Sequence, residues 1–371
     1  MRPLRKFFAF SAVKILHSNI KMNWLQRQPF YIKLTNKEYW PMWATYFPLA
    51  VYYPYLAIRA GSPFFFTATN PGIETGGMLG ESKKGILDKI DAKYKPTSPF
   101  IPKNTPLVEV LEIMKNHQID FPIVAKPDVG ERGTLVEKLN SPEELKTHLA
   151  KNNIDYIIQP FIDYEEELAI MYWRMPNETK SKVISVTRKQ FLSFTGDGKR
   201  TLREMILNSS RAILQYEKLE KRFAEKMDTI LPKGEKLELE PIGNHCRGTM
   251  FLDGNNLIDE AMERVISDIA IDIDEVYFGR FDLKCRSIED LKKGEHIAVL
   301  ELNGVGAEPA HIYDPNSNFL DVFKALLGQW KIMFRIAMYN HKVRGIPFMT
   351  FKEIKNYWRN LQAYHDGLDK D

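Results

Sequence analysis

The chain has 371 residues, 44% hydrophobic and 27% charged, with a formal net charge of +4. That is an ordinary globular composition with room for two or three domains. The charge is too small to argue for nucleic acid, and no RNA- or DNA-binding motif is present. Cys246 and Cys285 are too few and too scattered for a disulfide scaffold and fit a reducing cytoplasm.

The N-terminus departs from this average. Up to Lys37 there are eight Lys or Arg residues, and Glu38 is the first acid. Phe7 to Ile20 is apolar and basic, too short to span a bilayer and followed by no small-residue cleavage site. Met22 offers a second start. Trp40 to Ile58 is almost wholly apolar, rich in Trp and Tyr, and interrupted by Pro41, Pro48 and Pro54. Three prolines make a spanning helix costly. Aromatic residues with flanking lysines suit peripheral membrane contact through residues 40–58, and a helical hairpin packed on the core is the alternative. Residues 1–60 are therefore set apart as a basic, aromatic segment.

Phe64 to Ala68 reads as an apolar strand. The glycine-rich loop from Asn70 to Ser82 follows, suited either to cradling a carboxylate or to building tight turns. Phe121 to Lys126 is an apolar strand ending in a lysine, followed by Asp128-Val-Gly130-Glu-Arg-Gly133. A strand that delivers Lys126 beside a glycine loop can hold phosphates, the lysine as a point charge and the loop through its N–H groups. Ser141-Pro-Glu-Glu144 opens a helix to about Ala150: N-cap Ser, Pro in the first turn, Glu at the capping-box position. Asp155 to Phe161 is another strand. Glu167 re-enters a strand and can hold a ribose, whereas Glu165 and Glu166 read as a solvated turn.

Thr195-Gly-Asp-Gly and Thr201-Leu-Arg-Glu204 form a turn followed by a helix start. In Gly243-Asn-His245-Cys-Arg247-Gly an amide, imidazole, thiol and guanidinium crowd together, which favours substrate or phosphate contacts by His245 and Arg247. His245 is a poor metal candidate, because the second His or Cys pair is absent.

Phe278 to Asp282 and Val299 to Asn303 read as short buried strands. A period of two puts Glu301 and Asn303 on one face, and Asp282 joins them if the strands are neighbours. Two carboxylates and an amide oxygen suit a hard cation such as Mg²⁺, whose remaining ligands are commonly phosphates and water. A solvated sheet face is the bland alternative. Gly304 to Glu308 adds a turn through which backbone can approach a ligand. Asn318 to about Asn340 has helical periodicity, and Phe351 to Tyr364 forms a last amphipathic helix.

In this order, from about Glu81 to Pro315, the pieces resemble the ATP-grasp superfamily, and within it the D-alanine–D-alanine ligase-like carboxylate–amine ligases. The resemblance implies an α/β (α+β) fold. Its parts would be a preATP-grasp domain (remainder 61–105), a central lysine-bearing subdomain (106–175), a metal-binding subdomain with an insert (176–315) and C-terminal helices (316–371). The insert, at Thr195 to Ile206, is similar to that of cyanophycin synthetase-like members. By resemblance, Lys126 and an earlier lysine, Lys83, contact ATP phosphates. Gly130 and Gly133 lie in a mobile loop, and Gln159, Pro160 and Phe161 form the adenine hinge, with Gln159 where the family often has an acid. Glu167 takes the ribose and Arg280 the reacting phosphate. Asp282, Glu301 and Asn303 hold two Mg²⁺, or Mn²⁺, with Glu301 shared; Gly304 and Glu308 join His245 and Arg247 at the substrate.

The implied reaction is an ATP-dependent amide synthesis through an acylphosphate, on small or lipid-linked carboxylate and amine substrates, in the cytoplasm or at the inner face of the membrane. A kinase on the same fold and a catalytically silent, membrane-associated ATP-binding protein are the alternatives.

Overall fold

The computed structural model describes residues 22–130, 133–152 and 154–368. The stretch from Phe7 to Ile20, and Glu131 and Arg132 of the glycine loop, lie outside the described residues. The architecture is a mixture of helices and antiparallel sheets. One sheet has the order β1-β4-β2-β3, from β1 (Phe100–Ile101), β2 (Ile123–Pro127), β3 (Glu137–Leu139) and β4 (Tyr156–Pro160). The helices Leu107–Asn116 and Pro142–Lys151 cover it, burying Val110, Met114 and Leu145 against Ile123 and Ile158. The second helix starts as its sequence predicts, with Ser141 Oγ accepting from the Glu144 N–H. Glu144 reaches back to the N–H of Asn140 rather than Ser141, so the box is open by one residue.

The larger sheet has the order β11-β10-β5-β6-β9, from β5 (Glu166–Trp173), β6 (Lys182–Gln190), β9 (Met250–Asp253), β10 (Phe278–Cys285) and β11 (Ile297–Asn303). Every pairing in it is antiparallel. Alternation divides its faces. Leu168, Ile170, Tyr172, Phe281 and Leu283 point to one side, where they pack on Met262, Val265, Ile266 and Ile269 of the helix Glu260–Ile271. Their neighbours along the strands, Glu167, Arg280, Asp282 and Lys284, fall on the opposite side. In the chain between β6 and β9, β7 (Ser193–Thr195) and β8 (Lys236–Glu238) pair as a two-stranded antiparallel sheet whose connecting segment has its own core around Leu202 and Ile206. Thr201 and Glu204 close a full capping box there.

The run Phe64 to Ala68 is not a strand. Phe65–Ala68 forms a 3-10 turn whose rings pack on the long helix Phe319–Arg344, Phe65 meeting Phe334 edge-on at 5.6 Å. A continuous apolar run has no period by which to tell strand from buried turn, and tertiary packing decides it. The small α/β domain expected before residue 105 is also absent from the described residues. Residues 22–99 contain helices and turns only, and β1 pairs with β4.

Within Trp40 to Ile58 the helix Leu49–Ala60 buries Leu49 and Leu56 and packs Tyr52, Tyr53 and Ala57 toward the long helix. Its other face leaves Val51, Tyr55 and Ile58 exposed. The segment is thus half core and half open surface. No described helix is long and apolar enough to cross a membrane.

A single buried amide ties this helical layer to the sheet. Asn70 Nδ2 donates to the carbonyls of Gly76 (3.0 Å) and Phe278 (2.8 Å). Its Oδ1 accepts from the N–H groups of Tyr277 (2.9 Å) and Phe278 (3.0 Å). The glycine-rich loop that follows meets the turn after β11 backbone to backbone. A Cβ on Gly304 would lie 2.7 Å from the Cα of Gly77 and 2.5 Å from the oxygen of Gly76. Those glycines build a tight contact. Replacing Asn70 by Ala strands several buried backbone groups, and we expect a loss of about 3 kcal/mol of stability. Urea unfolding checks it as a lower midpoint at unchanged slope.

Candidate active site

The polar face of the larger sheet looks toward the end of β2, and the side chains between them form the site. Asp282 on β10 stands opposite Glu301 on β11, and Arg280 opposite Asn303. Asn303 Nδ2 donates to Asp282 Oδ2 at 3.0 Å, and Arg280 donates to the same oxygen at 2.9 Å. The expected neighbouring strands are therefore present, with the three oxygen-bearing side chains on one face. Asp282 Oδ1 is buried, and its one cationic neighbour, Lys189 at 3.3 Å, does not meet hydrogen-bond geometry. Burial would raise the Asp282 carboxyl, but Arg280 and Lys189 outweigh it and hold the group below its ordinary range.

The pairing of β10 with β11 slips by one residue between Asp282 and Leu283: Asp282 faces Glu301, but Leu283 faces Val299. Leu300 is the extra residue of a bulge, and the slip turns Val299 into the apolar core. The freed Leu300 carbonyl accepts a hydrogen bond from Lys126 Nζ at 2.8 Å. Burial pushes the Lys126 ammonium down to about 8, against the opposing pull of Glu301 beside it.

Lys83 arrives from another direction. Ser82 caps its helix, Lys83–Leu87, and Asp128 organises the junction by accepting from Ser82 Oγ (3.0 Å) and the Lys84 N–H (2.8 Å). This sets Lys83 Nζ on the Gly130 carbonyl and 3.6 Å from Glu301. Both predicted lysines thus converge on the bulged end of β11.

Glu167, on β5, is paired at 2.9 Å with Lys189, which also reaches Asp282. It lies so close to Gly243 that a Cβ there would come within 2.2 Å of its Oε1. At the expected hinge, Gln159 turns its side chain to Ser98 Oγ (2.8 Å), and Pro160 ends β4. The Phe161 N–H is taken by the Pro122 carbonyl, so it closes the sheet instead of facing a ligand. The Phe161 ring lies under Lys138, 3.6 Å from its centroid, with Lys284 at 5.0 Å.

His245 and Arg247 sit apart from the oxygen donors. His245 Nε2 is 3.2 Å from Glu38, which also receives Arg211, and Arg247 donates to the Gly133 carbonyl at 2.8 Å. A relay of contacts connects them to the site: the His245 ring lies 5.3 Å from Tyr313, Tyr313 donates to the Glu308 carboxylate, and the Glu308 carbonyl accepts from Arg280 (3.1 Å). Gly304, expected to face substrate, is where two backbones meet.

Sequence reasoning missed Lys189, Lys284, Lys138 and Glu38. Lys284 was within reach, since it continues the period of two from Arg280 and Asp282. Lys189 carried no such signal, because a lysine near a strand end ordinarily reads as solvated.

The donor set fits a hard divalent cation. It consists of oxygens, one of them a buried carboxylate oxygen without a hydrogen bond, and four cations (Lys83, Lys126, Lys189, Arg280) stand around it to receive anionic oxygens. The low position of Lys126 gives a pH signature of its own. Between about pH 8 and its ordinary 10.5, the folded chain has shed this proton and the unfolded chain still holds it. The unfolding free energy should therefore rise with pH in that window relative to Lys126→Met. Urea unfolding of both proteins at each end of the window measures the difference.

No protein-family model matches the chain, and no curated protein does. Among solved structures it is similar to the VanG D-Ala:D-Ser ligase from Enterococcus faecalis, with 13% identity over 71% of this chain and 62% of that one and a TM-score of 0.41. The D-alanine–D-alanine ligase from Bacillus anthracis follows with 12% identity, 71% and 68% coverage and a TM-score of 0.41. A bifunctional glutathione synthetase from Pasteurella multocida has 15% identity over 67% of this chain and 35% of that one, with a TM-score of 0.34. The chain thus spans about a third of that synthetase and 62% of the VanG ligase. Likenesses this weak leave the functional reading to the side chains themselves.

Proposed function

We propose that the chain is an ATP-grasp enzyme that joins a carboxylate to an amine at the expense of ATP. The observation that carries this reading is the convergence of Asp282, Glu301 and Asn303 with Lys83, Lys126 and Arg280 at one end of the paired strands β10 and β11. Asp282, Glu301 and Asn303 would hold a Mg²⁺ ion, which would supply neutralisation of phosphate charge in phosphoryl transfer.

In this reading Lys83 and Lys126 receive the phosphates. Both now donate to backbone carbonyls, of Gly130 and Leu300, contacts that anionic oxygens can replace. Lys189, 2.9 Å from Glu167 and 3.3 Å from Asp282, keeps Glu167 oriented for the ribose. Phe161, with Lys138 and Lys284 on its ring, stands beside the adenine. Arg280, fixed by Asp282 and the Glu308 carbonyl, faces the oxygens of the transferred group. The substrate carboxylate takes that phosphoryl group, and the amine then attacks the acyl carbon, forming the amide and releasing phosphate. The glycine loop, whose Gly133 carbonyl stays on Arg247 when Lys83 turns to the phosphates, excludes water from the acylphosphate.

Turnover should release ADP and inorganic phosphate in equal amounts and only with an amine present. ADP with no free phosphate would make the protein a kinase and overturn the ligase reading. Arg280→Ala should lower kcat on the order of 10²–10³-fold. Glu301→Gln should lower turnover and raise the Mg²⁺ concentration it requires; unchanged turnover and metal dependence would show that the cation sits elsewhere.

A further inference from the structure

The helix Phe351–Leu368 has a narrow inner face. Ile354, Tyr357, Leu361 and Tyr364 are half-buried, and every other side chain from Phe351 to Tyr364 is exposed. Steps of three, four and three residues put those four on one stripe. Thr350 and Glu353 fix the start of the helix. The Glu353 N–H donates to Thr350 Oγ1 at 3.3 Å, and the Thr350 N–H to Glu353 Oε2 at 2.7 Å. Phe351 meets Phe64 edge-on at 4.7 Å, so the helix sets out from the helical layer.

The stripe touches two separate segments, and both bear on Lys83. Tyr357 donates its hydroxyl to the Leu79 carbonyl. The Leu361 methyl groups close on Gly80, where a Cβ would lie 2.7 Å from one of them. Two residues on, Ser82 caps the helix that carries Lys83. Farther along the stripe, the Tyr364 hydroxyl faces the Val129 N–H, with the carboxylates of Asp155 and Asp128 beside it. Val129 precedes Gly130, whose carbonyl accepts from Lys83 Nζ. One helix thus holds the segment that delivers Lys83 and the segment on which its ammonium rests.

The stretch before Ser82 needs such support. Gly76, Gly77 and Gly80 all have positive φ, and glycine backbone loses the most freedom on being ordered. At Gly80 an apolar side chain and a hydroxyl from the helix supply the contacts that order it.

We propose that Tyr357 and Leu361 are positioning residues for Lys83: docking of the helix orders the stretch before Ser82 and sets the lysine where nucleotide phosphates arrive. This rests on the ligase reading for the phosphates, and on the contacts of the helix alone for the positioning. Because the ordering precedes binding, ATP affinity should depend on two side chains that reach it only through Lys83.

The test is a double-mutant cycle on the full chain, with ATP and adenosine binding measured by isothermal titration in the presence of Mg²⁺. Leu361→Asp should weaken ATP binding about tenfold. Tyr357→Phe, which removes one hydrogen bond, should weaken it about fivefold. Lys355→Ala, on the exposed face, should leave it unchanged. Adenosine offers Lys83 no phosphate, so its affinity should be the same in all three variants and the wild type. In a Lys83→Met background, Leu361→Asp and Tyr357→Phe should change ATP affinity by no more than about twofold. Equal losses with and without Lys83, a parallel loss of adenosine affinity, or ATP affinity untouched by both variants would overturn the proposal. Tyr357→Phe keeps the shape of the stripe and decides the matter if Leu361→Asp fails to fold. A wild type that bound no ATP, or a Lys83→Met variant that bound it as tightly, would bring down the nucleotide reading and the positioning with it. ATP binding that needs Lys83 but ignores the helix would strike the positioning alone.

Discussion

A carboxylate buried in the middle of a sheet is costly unless cations share it, and Asp282 is the carboxylate on which this structure turns. Arg280 on its own strand, Asn303 on β11 and Lys189 on β6 all converge on it, and Lys189 continues to Glu167 on β5. Four consecutive strands are thereby cross-linked on their polar face, while their apolar face is sealed by the helix Glu260–Ile271. Removing a single partner would leave charge uncompensated in a place water barely reaches. The same arrangement makes the face chemically useful, because a ligand can exchange one set of counter-charges for another without unfolding anything.

Around that face, polar groups decide which loops may approach. Asn70 satisfies backbone at the start of β10, and the long helix adds a second buried amide, Asn340, donating to the Ala68 carbonyl at 2.8 Å. Between these two amides the segment from Ala68 to Asn70 has little freedom. The glycine loop is consequently delivered against the turn after β11, where Gly77 and Gly304 let two main chains touch. Glu38, holding Arg211 and His245, anchors the N-terminal segment in the same manner from the other side.

What the sequence disclosed follows from period and capping. The strands around Asp282 and Glu301, the strand ending in Lys126, and the helix after Ser141 were legible because alternation and cap residues are local signals. Phe64 to Phe66 was misleading, since an unbroken apolar run takes whatever shape its neighbours offer. Lys189 and Glu38 were illegible for a different reason. Their partners lie 22 residues away for Glu167 and 173 for Arg211, and nothing in a chain reports which distant charges will meet. Lys83 was suggested by resemblance alone, and its approach to Glu301 depends on Asp128 fastening two separate segments.

The bulge at Leu300 has a consequence for how this architecture can vary. In one residue it rotates Val299 into the core, keeps Glu301 facing Asp282, and frees the carbonyl that receives Lys126 from the opposite sheet. The spacing between the two sheets is thus written into the length of one strand. A deletion here would close the gap in the ladder and uncouple the lysine from the carboxylates together. Lineages of this protein should therefore tolerate change in the identity of residue 300 far more readily than change in the number of residues between Val299 and Glu301.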